Sequence, residues 1–289
     1  TMAAHLALMN FEVTLYNRTF KNIASIEREG GIYLKSNLDD FNGFGKIPLA
    51  TSDIEEAITG NDIIMIVVPA FAHHSIATKV APYLQDGQIV ILNPGRTLGA
   101  LEFRRALNLN NCKADVSIAE TQTFIYASRS EGSTQARIFK IKKAVPLAAF
   151  PSSETKKVLH ALKPAFPQFI DGGNIIKTGL NNIGGVFHPT ISILNTGRIE
   201  ASNDFQFYVD GVTPTIARIM ESIDRERVNV AAACGFRATT AIEWLNLTYR
   251  AKGKNLFEAI HNQKSYRGIN APNSLDHRYL HEDIPMSLV

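Results

Sequence analysis

Asn181-Asn182-Ile183-Gly184-Gly185-Val186-Phe187-His188-Pro189-Thr190 divides this chain into two kinds of sequence. Upstream, short apolar runs alternate with amphipathic stretches, the pattern of strands and helices in turn. Downstream, nearly everything reads as helix. Inside the dividing stretch a histidine immediately precedes a proline, and proline disfavours the helical region for the residue before it. The backbone is therefore expected to break or kink at His188 and to present the imidazole away from a regular helix face. A histidine at such a seam is a candidate proton carrier near neutral pH.

Upstream of the seam the units repeat. The run Ile63-Ile64-Met65-Ile66-Val67-Val68, opened by Asp62 and ended by Pro69, reads as a buried parallel strand. A helix over about residues 71–83 and a strand at Gln88 to Leu92, closed by Asn93-Pro94-Gly95, follow it. Earlier still, residues 2–9 form a short apolar helix that turns through Asn10 into the strand Glu12 to Tyr16, the second half of a βαβ unit. In such units a strand and a glycine-rich turn precede the helix and cradle a pyrophosphate, and neither stands ahead of this helix. The chain starts at Thr1 and ends on an apolar stretch (Ile284, Met286, Leu288, Val289), so it reads as a fragment of a longer protein, expected to bind a dinucleotide poorly by itself.

From Asp115 to Phe150 strands dominate, and a helix over Ser153 to Leu162 and a strand at Phe169-Ile170 complete the first domain. The expected fold is α/β: a Rossmann-type dinucleotide-binding domain over residues 1–173, followed by an all-helical domain over residues 174–289. Its sheet should be mainly parallel and extended by strands of mixed direction, without the first strand and glycine-rich turn. In the helical half, Pro214 suits a first helical position. Ile216, Ile219, Met220, Ile223, Arg227, Val230 and Cys234 recur at three- and four-residue spacing, which predicts one buried face, and Gly235 can end the helix. Glu221 and Arg225 are spaced for an ion pair.

The bulk numbers exclude several functions. A net charge of +3 spread over 289 residues, with no basic run, argues against nucleic acid as a partner. No apolar run is long enough to span a bilayer and no signal peptide is visible, which leaves the cytoplasm as the default and no membrane partner. Cys112 and Cys234 stand far apart without ligand spacing, against a disulfide framework or zinc site. His73 and His74 are adjacent and point to different sides of a helix, so no metal is expected. Oligomeric state, a homodimer included, stays open.

Asn17-Arg18-Thr19 ends the strand that in dinucleotide folds meets the adenosine ribose. An acid there favours NAD, whereas an arginine among small polar residues accommodates a 2′-phosphate. Arg18 is present and no acid is, which leans towards NADP with NAD as the alternative. Val68-Pro69-Ala70 and Asn93-Pro94-Gly95-Arg96 follow two further strands, where cofactor contacts collect, and Arg96 could reach a phosphate or a substrate carboxylate. Residues 272–285 concentrate ionisable groups between two prolines. In a continuous helix Arg278 and Asp283 would point about 140° apart. A loop with a short turn would let both converge, a carboxylate to fix an imidazole tautomer and an arginine to grip a carboxylate substrate.

Four stretches then carry a resemblance. They are Val67-Val68-Pro69-Ala70-Phe71-Ala72-His73; Asn93-Pro94-Gly95-Arg96-Thr97 with Ala100-Leu101-Glu102-Phe103; Glu120-Thr121-Gln122-Thr123-Phe124-Ile125-Tyr126-Ala127 with Arg129; and Gly211-Val212-Thr213-Pro214 leading to Ile223-Asp224-Arg225-Glu226-Arg227. Together, in this order, they resemble the octopine/nopaline, or opine, dehydrogenase family over nearly the whole chain. That resemblance implies an NAD(H)- or NADP(H)-dependent enzyme that joins an amino acid to a 2-oxo acid and reduces the imine. It implies that His188 is the catalytic histidine, Asp283 its partner, and Arg278 a substrate-binding arginine. Two rival readings stay open: a two-domain dehydrogenase that reduces a 2-oxo acid without an amine, and a noncatalytic cofactor-sensing module.

Overall fold

Four consecutive aliphatic residues, Ile89–Leu92, form an interior strand of the largest sheet and are all buried. A strand covered on both faces has no solvent side to satisfy, so its sequence needs no polar alternation. The computed structural model describes residues 1–36, 41–202 and 204–288. The chain forms two compact units. The first comprises Thr1–Val68, Ala72–Gly95 and Ala100–Ile175; the second comprises Pro69–Phe71, Arg96–Gly99 and Ile176–Val289. Two short loops from the first half of the chain therefore cluster with the helical half. Val289, the last of the apolar terminal residues, lies outside the described residues.

The strands of the first unit, in chain order, are β1 (Thr14–Tyr16), β2 (Gly31–Ser36), β3 (Gly43–Lys46), β4 (Leu49–Thr51), β5 (Ile63–Ile66) and β6 (Ile89–Leu92). They continue as β7 (Ser117–Thr121), β8 (Tyr126–Ser130), β9 (Gln135–Ile141), β10 (Val145–Phe150) and β11 (Phe169–Asp171). The largest sheet runs β11-β10-β7-β6-β5. β5, β6 and β7 are parallel, in the register Ile63 to Ile89 to Ser117, whereas β10 runs antiparallel to β7 and parallel to β11. Helices His73–Val80, Gly99–Leu109 and Thr155–Leu162 connect or follow these strands.

One expectation needs correction. The parallel set β5-β6-β7 is extended in mixed direction by β10 and β11 as expected, but the other strands do not join it: β1 and β4 form a parallel pair of their own, and β3-β2-β9-β8 form a separate four-stranded sheet. The reason is legible in the side chains. β2 and β9 bury Ile32, Leu34, Ala136 and Ile138 in the core but expose Tyr33 and Phe139, so they suit a sheet covered on one face rather than the doubly covered one. Asn10, at φ +64°, makes the expected tight turn between helix Met2–Leu8 and β1.

In the second unit, helix Pro214–Ala233 starts as the sequence suggests, with Pro214 in its first turn and the Thr213 hydroxyl accepting the Ile216 N–H. Its buried face agrees in part: Ile216 and Met220 are buried and Ile223 packs against the core. Ile219 and Val230 are exposed, and the residues facing the core are Ile216, Ala217, Met220, Asp224 and Ala231. Two apolar stripes fit the spacing, and a buried polar pair selects between them. The Asp224 carboxylate accepts the Arg227 guanidinium at 2.7 Å and the Ala241 N–H at 2.8 Å. The expected Glu221–Arg225 pair does not form: Glu221 accepts the Leu256 N–H and Arg225 donates to the Ser222 hydroxyl. Helix Ala241–Tyr249 opens on a capping box of Thr240 and Glu243, and helix Leu256–Asn262 on Asn255.

The second correction concerns the dividing stretch. The backbone does not break at His188; helix Gly184–Leu194 continues through it with Pro189 inside. An internal proline costs on the order of 3 kcal/mol. Here Val186, Phe187 and Ile191 on either side are buried in the core of the second unit, and their packing outweighs the local preference.

Candidate active site

His188 sits in the second turn of helix Gly184–Leu194, its side chain 16% exposed, and both ring nitrogens have partners. Nδ1 lies 2.8 Å from Asp283 Oδ2 and Nε2 lies 3.1 Å from Tyr208 Oη. A carboxylate only accepts, so Nδ1 carries a proton and donates it to Asp283. Nε2 is then the nitrogen that gains and loses a proton. Burial raises the Tyr208 phenol above its usual range, so the hydroxyl stays neutral. It can donate to neutral Nε2 or accept from the imidazolium. The Tyr279 ring stacks on the imidazole, centroids 4.2 Å apart and planes 19° apart, and fixes the ring plane.

Asp283 is fully buried and its neighbour Glu282 nearly so. Two adjacent carboxylates out of water need compensating charge. Arg96 supplies it: its Nε donates to Glu282 Oε1 at 3.2 Å, and its Nη1 lies 3.5 Å from Asp283 Oδ1. The same Glu282 oxygen accepts the Ala70 N–H at 3.1 Å. Arg96 adopts φ +60°, a left-handed conformation that costs an L-residue about 1–2 kcal/mol. Such strain persists where surrounding contacts over-determine the geometry.

The terminal segment that carries both acids is braced at several points. Asn182 donates to the Ser287 hydroxyl at 2.7 Å, and the Thr97 N–H donates to the Met286 carbonyl. Gly185 lets the segment approach: a Cβ there would lie 2.7 Å from the Ser287 Cβ, inside any permitted contact.

Of the residues singled out in the sequence, the structure brings His188, Asp283 and Arg96 together. Arg278, at the start of the single turn Arg278–His281, is exposed, with its guanidinium 5.9 Å from the Tyr279 ring centroid. It forms no side-chain hydrogen bond or ion pair among the described residues. The strand-end residues divide. Asn17 Oδ1 accepts the Thr19 N–H and an Asn22 amide hydrogen, and Arg18 and Thr19 are exposed. Val68 is half-buried and Pro69 exposed, and the Ala70 N–H is engaged by Glu282. Asn93 is buried and donates to the Ile91 carbonyl.

Sequence reasoning missed Tyr208, Tyr279 and Glu282. Glu282 stood in the charged segment beside Asp283, and its burial was the missing fact. Tyr208 lies 20 residues from His188, just ahead of the Gly211-Val212-Thr213-Pro214 stretch, and nothing in the sequence pointed its hydroxyl at the histidine.

Comparisons with known proteins identify the family. Residues 171–289 match the family model described as NAD/NADP octopine/nopaline dehydrogenase, alpha-helical domain. An opine dehydrogenase of Arthrobacter sp. (strain 1C) is 36% identical over 287 residues, covering 99% of this chain and 79% of that protein. The chain belongs to the opine dehydrogenase family.

Two solved structures show the shared fold. Octopine dehydrogenase, described with NADH and pyruvate, superposes with a TM-score of 0.81 at 23% identity, covering all of this chain and 79% of that one. Yersinopine dehydrogenase with NADP+ bound superposes with a TM-score of 0.73 at 13% identity, covering 94% of this chain and 75% of that one. As an opine dehydrogenase, the chain is an NAD(P)-dependent oxidoreductase acting on CH–NH groups. Its reaction is the reductive condensation of an amino acid with a 2-oxo acid. Its fold is the Rossmann-type unit followed by a helical domain that the sequence led us to expect. No helix among the described residues is long and apolar enough to cross a membrane.

Proposed function

We propose that His188 is the proton carrier of this opine dehydrogenase, with Asp283 holding its tautomer and charge and Arg96 receiving the carboxylate of the 2-oxo acid. The hydrogen bond from His188 Nδ1 to the fully buried Asp283 carboxylate carries this reading. Amine addition to a carbonyl and loss of water from the carbinolamine both require a group that gives and takes a proton at one place. Nε2 is that group, and Tyr208 keeps it aligned while it waits. The nicotinamide cofactor, when bound, supplies the hydride; the protein orients the two acids and moves protons. Arg278, one helical position before Tyr279, stands as a second cation for the amino acid's carboxylate.

For the cofactor we infer NADP in preference to NAD. Arg18 at the end of β1 is exposed and forms no side-chain hydrogen bond or ion pair among the described residues, and the adjoining Asn17 is occupied in its own turn. That leaves a free guanidinium for a 2′-phosphate. Both cysteines are free, which fits a reducing cytoplasm as the setting.

The test is oxidation of NADPH and of NADH with pyruvate, in the presence and absence of a panel of amino acids. Turnover should require both acids, and His188→Asn should abolish it while leaving cofactor affinity intact. Turnover with pyruvate alone would overturn the condensation, and undiminished turnover by His188→Asn would remove that residue from the mechanism. Arg18→Ala should raise the KM for NADPH about tenfold with little effect on NADH, the loss of one charge-assisted phosphate contact.

A further inference from the structure

We propose that Glu282 is a positioning residue that aims Arg96 at the bound 2-oxo acid, an inference that rests on the reading of Arg96 as the carboxylate site. Four observations converge on it. Glu282 is 2% exposed and lies one residue before Asp283, yet the His188 ring nitrogens bond Asp283 and Tyr208 and not Glu282. Its Oε1 accepts from Arg96 Nε, the one donor on the inner edge of the guanidinium, at 3.2 Å. The same oxygen accepts the Ala70 N–H, so the carboxylate itself is anchored to backbone and cannot swing with the arginine. Arg96 meanwhile holds a left-handed backbone conformation at φ +60°, a strained geometry of the kind that surrounding contacts over-determine.

The geometry of the guanidinium completes the argument. Arginine offers five N–H donors in a fixed planar fork. With Nε committed to Glu282 and Nη1 turned to Asp283 at 3.5 Å, the plane is set in space. Nη2 has no hydrogen-bond or ion-pair partner among the described residues. The donors left over belong to the Nη edge, and a carboxylate of the substrate meets that edge two-pronged only if the plane is held. Gly184 keeps this edge clear: a Cβ there would stand 3.3 Å from Arg96 Nη1 and 3.5 Å from His188 Cε1. The arrangement also separates two tasks between neighbouring acids. Asp283 serves the imidazole, and Glu282 serves the arginine that receives the substrate.

A double-mutant cycle tests this in the full chain. Pyruvate is the probe, its dissociation constant measured by calorimetry with NADPH present, for the unaltered protein, Arg96→Gln, Glu282→Gln and the double variant; thermal melts confirm that each is folded. Each single variant should weaken pyruvate binding about tenfold, the scale of one charged contact, and the double variant should be no more than about threefold weaker than Arg96→Gln. Amino-acid KM should hold within about twofold, a split that a general loss of structure would not give. Strict multiplication of the two single effects, or a Glu282→Gln variant that binds pyruvate normally, overturns the inference. Where the double variant fails to fold, Glu282→Asp replaces Glu282→Gln: its shorter side chain should weaken binding alone and not on the Arg96→Gln background. Binding of pyruvate without amine-dependent turnover would refute the proposed reaction and leave the cycle readable. No pyruvate binding by the unaltered protein would refute both.

Discussion

Replacing Asp283 by asparagine should invert the histidine rather than merely weaken it. The side chain is fully buried, with one oxygen 2.8 Å from His188 Nδ1 and the other 3.5 Å from Arg96 Nη1. An amide in that space has two orientations. With its NH2 towards Arg96, two donors face each other; with its oxygen towards Arg96, the NH2 faces Nδ1. The second satisfies every group, provided Nδ1 becomes an acceptor and the proton moves to Nε2. The nitrogen aimed at the reacting atoms is then capped by hydrogen, and the imidazolium loses its counter-charge. Opposite charges about 4 Å apart at an effective dielectric near 20 attract by about 4 kcal/mol, which is roughly a 10³-fold loss in kcat. The assay is steady-state kinetics in both directions, with ¹⁵N imidazole shifts to report which nitrogen carries the proton. A variant with kcat within about threefold of the unaltered protein, or with Nδ1 still protonated, would refute the reasoning.

Two further outcomes follow from the packing. Gly185→Ala places a methyl group 2.7 Å from the Ser287 Cβ and should cost about 1–3 kcal/mol of stability along with activity, read by urea denaturation. Ser287→Gly in the same chain should recover part of both; no recovery would place the strain elsewhere. His5 is buried against Tyr126, and burial lowers its pKa from 6.5 to about 4. Because the unfolded chain takes up that proton first as the pH falls, stability should be full above about pH 6.5 and decline towards pH 4 by about 3 kcal/mol. His5→Gln should flatten that slope in urea melts across this range, and an unchanged slope would assign it to other groups.

How much of this was legible in the sequence depended on whether local pattern or distant packing decided each feature. The run Ile63 to Ile66, the strand Ile89–Leu92 and the Thr213-Pro214 helix start follow from side chains within a few residues, and they were read correctly. The buried face of Pro214–Ala233 was read only in part, with Ile216 and Met220 buried but Ile219 and Val230 exposed. Its choice between two apolar stripes rests on Asp224 meeting the Ala241 N–H, a contact 17 residues away. His188 was singled out for a break or kink, and the helix does not break there, because neighbouring core residues carry it through Pro189. Arg96 was noticed as a free cation, whereas its orientation depends on Glu282, 186 residues further on. Tyr208 left no trace in the pattern, since a tyrosine on a buried surface looks the same whether or not its hydroxyl faces a histidine.

The membership of Pro69–Phe71 and Arg96–Gly99 in the second unit has a consequence for how the protein comes to exist. The contacts of Glu282 with Ala70 and Arg96 close loops of 212 and 186 residues, so their ordering entropy falls late in folding, after local helices have formed. Until then the helical half carries two acids whose counter-ion has not arrived. A polypeptide of residues 176–289 alone would stay in that state: its helices can pack, but Glu282 and Asp283 would seek water and draw the terminal segment out with them. The helical half is therefore a sequence module whose acid pair finds its compensating charge and its backbone donor only in a chain that also carries the Arg96 and Ala70 loops.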